Sequence, residues 1–211
     1  MLTSPDPYLA LAASIGGGYL LGSIPFGVIV TRLGGAGDVR KIGSGNIGAT
    51  NVLRTGRRDL AAITLLADGG KGALAALLAG HFFGPVAAVL AAGAAFLGHI
   101  FPVWLRFKGG KGVATFFGTL IAVSPIAGLM AGATWIAMAF LFRISSLAAL
   151  VAAAAAPLLV FAVDLGGEGK IDRVYLAAFM AVLIYIRHTE NIRRLLKGEE
   201  PRIGGSKAPA A

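Results

Sequence analysis

Residues Val113–Phe142 read VATFFGTLIAVSPIAGLMAGATWIAMAFLF, about 30 residues without a charge. An apolar run of that length is enough to cross a bilayer. Ser124-Pro125 stands in its middle. Proline lacks an N–H and disfavours helix in the residue before it, so the run is either one long span or two short ones that turn there. The choice decides on which side of a membrane everything downstream emerges.

Around this run lie further apolar stretches: Tyr8–Thr31, Leu60–Phe83, Gly84–Leu105, Leu147–Val163 and Val174–Ile186. Hydrophobic residues make up 56% of the 211, charged residues 14%, and mean hydropathy is +0.79, outside the range of soluble domains. The pattern predicts an all-α, polytopic membrane bundle, with residues 1–211 as a single membrane-embedded domain. The first run is too long for a signal-peptide core and is expected as a retained span. The net charge of +9 sits beside the ends of the apolar runs, where it sets topology and meets anionic lipid. It does not form a soluble face with interleaved aromatics, which argues against nucleic acid as a partner. With no cysteine in the chain, thiol catalysis and cysteine-ligated metal are excluded.

Three polar segments interrupt the hydrocarbon, at 32–59, 106–112 and 187–198; a basic tail, 199–211, is expected to be flexible. The first contains Gly43-Ser44-Gly45-Asn46-Ile47-Gly48-Ala49-Thr50-Asn51-Val52-Leu53-Arg54. Alternating glycines let a backbone turn its N–H groups toward one point, a concavity that binds anions. Ser44, Asn46, Thr50 and Asn51 add side-chain donors, and Arg54 offers a fork suited to phosphate. The plain alternative is a polar linker, but a linker has no use for an ordered run of donors ending in arginine. The second segment, Lys108-Gly109-Gly110-Lys111-Gly112, opens an apolar helix and is another anion-binding candidate; its alternative is a positive-inside loop with a flexible tip. Neither Lys111 nor Lys71 sits in a P-loop spelling. The third contributes His188 and Asn191, three apart and on one face if helix continues past Ile186, with Arg193 and Arg194 behind them. Ser145-Ser146 adds hydroxyls between two spans.

Two features lie inside apolar runs. Pro25 should break or kink the first span, either to line a cavity or as an ordinary bend. Asp68 and Lys71, spaced to pair on a helix, are expensive in hydrocarbon; the stretch is expected as an interfacial helix to Ala67 followed by a short span reaching His81. Charge then fixes the parity. If the amino terminus is outside and Val113–Phe142 crosses twice, there are seven spans and the carboxyl terminus is cytoplasmic. Lys170 and Arg173 then fall outside and Lys71 within a span, leaving 16 of the 19 lysines and arginines inside. All three polar segments share that side. The donors greatly outnumber the carboxylates Asp38, Asp59, Asp68 and Glu190, which form no metal-binding pair, so no metal or cofactor is called for.

Gly22-Ser23-Ile24-Pro25-Phe26-Gly27 with Gly43–Arg54, then Gly109-Gly110-Lys111-Gly112-Val113-Ala114-Thr115, then His188-Thr189-Glu190-Asn191-Ile192-Arg193-Arg194-Leu195 resemble, in order and spacing, the bacterial acyl-phosphate-dependent glycerol-3-phosphate acyltransferases (the PlsY family). The resemblance runs from about Gly16 to Gly198. It implies transfer of a fatty acyl group from acyl phosphate to the 1-hydroxyl of sn-glycerol 3-phosphate, giving lysophosphatidic acid and inorganic phosphate in phospholipid synthesis. It implies a multi-pass protein of the bacterial cytoplasmic membrane with its site facing the cytoplasm. Membrane lipid and the enzyme that supplies acyl phosphate would be its partners. Carried over by motif, Ser44, Arg54, His188 and Asn191 are expected to be catalytic. Gly43, Gly45, Asn46, Gly48, Thr50, Asn51, Lys108, Gly109, Gly110, Lys111, Gly112 and Ser146 are expected to bind substrate, and Glu190 to be structural.

An acyl phosphate is a mixed anhydride with a good leaving group, so direct attack needs no covalent enzyme intermediate. The task is to hold two anions together and stabilise an oxyanion, which suits many donors and few carboxylates. The base is either His188 or a substrate phosphate oxygen. A transporter would place polar residues along a route rather than at one end. Soluble-type glycerolipid acyltransferases place aspartate five residues after a histidine; here those positions hold Val86, Trp104 and Arg193.

Overall fold

A computed structural model describes residues 6–164 and 170–204. Its regular structure is helical throughout: α1 (Pro7–Gly22), α2 (Phe26–Leu33), α3 (Ala49–Val52), α4 (Arg58–Phe83), α5 (Pro85–Ile100), α6 (Val113–Val123), α7 (Pro125–Phe142), α8 (Ser145–Val163), α9 (Lys170–Arg187) and α10 (Thr189–Leu196), with single 3-10 turns in the loops. Among the described residues, five segments are long and apolar enough to cross a membrane: Pro7–Leu33, Arg58–Phe83, Pro85–Leu105, Pro125–Phe142 and Ser145–Val163. The apolar run Val113–Phe142 divides at Ser124, giving α6 and α7. Ser124 and Pro125 turn the chain back so closely that a side chain at Gly128 would strike the Ile121 backbone. Apolar side chains such as Phe140 and Leu158 remain exposed on the outer faces, as lipid-facing residues do.

Many of the bundle contacts are made by small residues. Gly18 and Gly22 of α1 lie on the backbone of Ala91 and Ala95 of α5, and Gly98 of α5 lies on Tyr19 and Ser23. Gly118 of α6 meets Gly69 of α4, and Gly72 of α4 meets Thr115 and Thr119. Without a hydrophobic force between helices in lipid, such close backbone approach supplies the packing. A core of Phe96, Phe116, Leu120, Met180 and Ile184 fills the space where α5, α6 and α9 converge.

The stretch Leu60–Phe83 departs from expectation. It is one continuous helix, not an interfacial piece followed by a short span. The glycines at 69 and 72 do not end it, because they are contact points for α6. The buried Lys71 donates to Asp68 Oδ1 (2.8 Å) and to the carbonyl of Ile24 (2.7 Å). That carbonyl lies where Pro25 interrupts helix between α1 and α2. The ion pair inside the bundle therefore satisfies the break in the first span. Asp68 also lies 3.5 Å from His99 Nδ1, and Thr115 donates to its carbonyl. At the other end of the bundle, Asp164 accepts from Ser124 (3.1 Å) and Arg173 (2.9 Å), tying the α6–α7 turn to the neighbouring helix ends.

Candidate active site

The first polar segment is folded around the side chain of Asn51. Its amide nitrogen, buried, donates toward the carbonyls of Val39, Ile42 and Asn46 (2.9, 2.9 and 2.8 Å). Its oxygen accepts from the N–H (3.1 Å) and hydroxyl (3.3 Å) of Ser44 and faces Arg54 Nη1 at 3.5 Å. The chain closes this tightly because Gly43 and Gly45 take positive φ, 54° and 70°. A side chain at Gly43 would collide with Asn51 and Arg54. Asn46 accepts from the Gly48 N–H (2.9 Å), starting α3. Ser44, Thr50 and Arg54 are exposed. The N–H groups of Ser44, Gly45 and Gly48 are bonded within the loop, so the open nest that the glycines suggested is not what they build. They build a rigid loop that presents side chains.

The second segment is docked on the end of α5. The N–H of Gly109 donates to Ile100 O and that of Gly110 to His99 O, each at 3.1 Å. Neither position has room for a side chain: one would strike the α5 carbonyls, the other the His99 ring. Gly112, with φ 85°, starts α6 against the Phe96 ring. The loop is thus pinned rather than flexible, and the amides of Gly109 and Gly110 are bonded to α5. Its cation is Lys111, half-buried, which donates to Asn191 Oδ1. Burial pulls the Lys111 pKa below its ordinary value. Lys108 is exposed.

The third segment begins at the end of α9. His188, buried, caps α10 by position, and its Nδ1 lies 2.8 Å from the carbonyl of Ile184. A carbonyl only accepts, so Nδ1 carries the proton and Nε2 is left basic. Burial pulls the imidazole down to about 4, with Lys111 adding to the effect. Asn191 donates to Glu200 Oε1 (2.5 Å); Ser146, at the start of α8, donates to the same oxygen (2.7 Å), and Arg194 to Oε2 (2.7 Å). Burial opposes ionisation of Glu200, but these three donors outweigh it and hold the carboxyl below its ordinary range.

Two expectations are corrected here. The acidic residue that organises this segment is Glu200, not Glu190, which is exposed at the rim of the cavity. The start of the tail is not loose: Ile203 exchanges backbone and side-chain hydrogen bonds with Arg143 (2.6 and 3.0 Å), holding Glu200 in place. Residues 205–211 of the tail lie outside the described residues.

The three segments meet. A cavity of about 360 Å³ is lined by Ser44, Gly45 and Asn46 from the first, Gly109 and Lys111 from the second, and Ile186, Arg187, Thr189 and Glu190 from the third. Asn191 lies behind the lining, bonded to Lys111, and Ser146 meets Asn191 at Glu200. Arg187 had not stood out in the sequence, where it was only the first charge after an apolar run. Of the residues expected to be catalytic only Ser44 lines it; Arg54, His188 and Asn191 do not, nor do Gly43, Gly48, Thr50, Asn51, Lys108, Gly110, Gly112 and Ser146.

The model of a family described as glycerol-3-phosphate acyltransferase matches residues 12–198. A protein of that name from Caulobacter vibrioides is 65% identical over 202 residues, covering 95% of this chain and 91% of the relative. Another, from Maricaulis maris, is 60% identical over 200 residues, covering 95% and 90%. Among solved structures, the integral membrane glycerol 3-phosphate acyltransferase PlsY in its glycerol 3-phosphate form superposes with a TM-score of 0.84 at 39% identity, over 92% of this chain and 96% of that one. Its lysophosphatidic acid form gives 0.83 at 37% identity, over 92% and 95%.

Proposed function

The chain belongs to the glycerol-3-phosphate acyltransferase family, and from that membership we propose that it transfers a fatty acyl group from acyl phosphate to the 1-hydroxyl of sn-glycerol 3-phosphate, releasing inorganic phosphate and lysophosphatidic acid. The observation that carries this reading is the single cavity on which Ser44, Lys111 and the residues beside His188 converge. It is polar and small, suited to phosphate and glycerol, while the acyl chain would lie between apolar helices.

The reaction is direct. The glycerol hydroxyl attacks the acyl carbonyl, a tetrahedral oxyanion forms, and the C–O bond to phosphate breaks. Lys111 and Arg54 offset the repulsion between the two phosphates and stabilise the developing charge. The neutral His188, with Nε2 free of a proton, is one base for the hydroxyl; the leaving phosphate is the other. Ser44 acts as a hydrogen-bond donor: its hydroxyl is bonded to the amide oxygen of Asn51, which is no base for activating a nucleophile. Asn191 orients Lys111, and the glycines of the first two segments shape the binding surface.

As a single domain, the protein sits in the bacterial cytoplasmic membrane with seven crossings, amino terminus outside and this cavity toward the cytoplasm. The short α6 and the more polar α9 complete the five longer spans. The cytoplasmic side is where an upstream enzyme would deliver acyl phosphate.

Purified protein in lipid, given palmitoyl phosphate and glycerol 3-phosphate, is expected to release phosphate in step with lysophosphatidic acid. Palmitoyl-CoA should give none, and Ser44→Ala and His188→Ala should lose turnover. Activity with the CoA donor alone would discard acyl phosphate and keep the acyltransferase.

A further inference from the structure

Arg187 is the last residue of α9, beside His188, and it reaches across to the second segment. Its Nε donates to Gly110 O (3.3 Å) and its Nη2 to Gly109 O (3.2 Å), while the guanidinium stands 6.0 Å from the Phe101 ring. It is half-buried and lines the same cavity as Gly109 and Lys111. The Gly109-Gly110 turn is therefore held on two sides. Its N–H groups are fixed by the carbonyls at the end of α5, and its carbonyls are fixed by one planar fork.

We propose that Arg187 is a positioning residue for acyl transfer: it locks the Gly109-Gly110 turn to the end of α9 and covers its two carbonyl oxygens. Lys111 can then meet a substrate phosphate without competing backbone acceptors. The inference rests on the reading above that this cavity takes the phosphate of glycerol 3-phosphate.

The physical case has three parts. Gly109 lines the cavity, and carbonyl oxygens open toward it would repel a phosphate dianion as strongly as N–H groups would attract it. Glycines, moreover, do not hold their own dihedrals, so a turn of two needs clamps from outside. A guanidinium spans two adjacent carbonyls with donors in fixed directions; an ammonium is a compact point charge that cannot hold both in one geometry. The arginine also links two motifs, since its backbone leads directly into His188. A shift of this contact would move Lys111 and the imidazole relative to each other.

The test uses full-length protein in lipid nanodiscs, with both substrates varied, for the unmodified chain, Arg187→Met and Arg187→Lys. Arg187→Met is expected to raise KM for glycerol 3-phosphate about tenfold or more, the loss of charge-assisted hydrogen bonds, with an unchanged melting temperature. Arg187→Lys, which keeps the charge, should recover only a small part. Methylguanidinium added to Arg187→Ala should restore rate where methylammonium does not. If Arg187→Lys performs like the unmodified protein, or if both ions rescue equally, the residue supplies charge alone and the positioning role is wrong. An unmodified chain that turns over while all three variants match it would sink this inference and leave the function standing. No turnover by the unmodified chain would remove both. Should Arg187→Met fail to fold, Arg187→Lys and the rescue comparison decide the question alone.

Discussion

Asn51 and Asn191 are buried asparagines that use the amide alike: each turns its oxygen toward a cation of the site and its nitrogen toward an anchor. For Asn51 the cation is Arg54 and the anchors are loop carbonyls; for Asn191 they are Lys111 and Glu200. A carboxylate in place of either could not donate to its anchor. His188 stands beside Asn191 and yields a prediction in pH. Its pKa falls from 6.5 to about 4 on folding, so between those values the unfolded chain binds a proton that the folded chain does not. Stability contributed by the neutral imidazole is complete above 6.5 and declines as pH falls toward 4, by on the order of 3 kcal/mol. Glu200, whose pKa is also lowered, loses its contribution in the same direction on further acidification. Thermal melts from pH 7 to 4 should therefore be steeper for the unmodified protein than for His188→Gln. If His188 is the base, the pH profile of kcat/KM from 8 to 6 should show only the titration of the substrate phosphates, whose second pKa is about 6, measured separately on the substrates. A further break near 6.5, beyond that of the substrates, would mean that the imidazole titrates like an exposed one.

On the scale of elements, the break between α1 and α2 and the ion pair in α4 form one feature. Proline at 25 was legible as an interruption, and Asp68 with Lys71 as a costly pair, because both violate local rules. That they solve each other was not legible, since Ile24 and Lys71 are 47 residues apart and nothing in either stretch names the other. The same holds for Arg187 and Glu200: nothing in the sequence singled them out, and their partners include residues far along the chain. The glycines misled in a different way. Their pattern fits an anion nest and also a docked loop, and only the tertiary neighbours of Gly109 and Gly110 separate the two. For the buried pair, Lys71→Met leaves Asp68 with only His99 beside it and the Ile24 carbonyl without its donor. Stability should fall by about 3–5 kcal/mol. Asp68→Asn combined with Lys71→Met removes the stranded charge and should recover part of that loss. Unfolding in detergent, followed for the single and double variants, measures both. A double variant no better than Lys71→Met would show that the carbonyl, not the charge, dominates.

At the scale of the molecule, the decisive quantity is parity. The helical class could be read from hydropathy, while the turn at Ser124 and the grouping of three polar segments needed the distribution of lysine and arginine as well. The lengths of the spans could not be read from either, because Gly-rich contacts in α4 resemble a helix end until α6 is placed against them. The proposed parity is argued from two facts together: Val113–Phe142 divides in two, and the segments before and after it line one cavity. A single crossing there would put His188 across the bilayer from Ser44. The prediction is therefore that α6, although only 11 residues, counts as a crossing. The chain has no cysteine, so single cysteines report location without a background. In intact cells, a membrane-impermeant maleimide should label His81→Cys and Asp172→Cys. Lys41→Cys and Lys197→Cys should react only after permeabilisation. Labelling of Lys197→Cys from outside, with Lys41→Cys protected, would place the two halves of the cavity on opposite sides and overturn the seven-crossing arrangement. Labelling of both Lys41→Cys and Lys197→Cys from outside would instead invert the whole protein and leave the cavity intact.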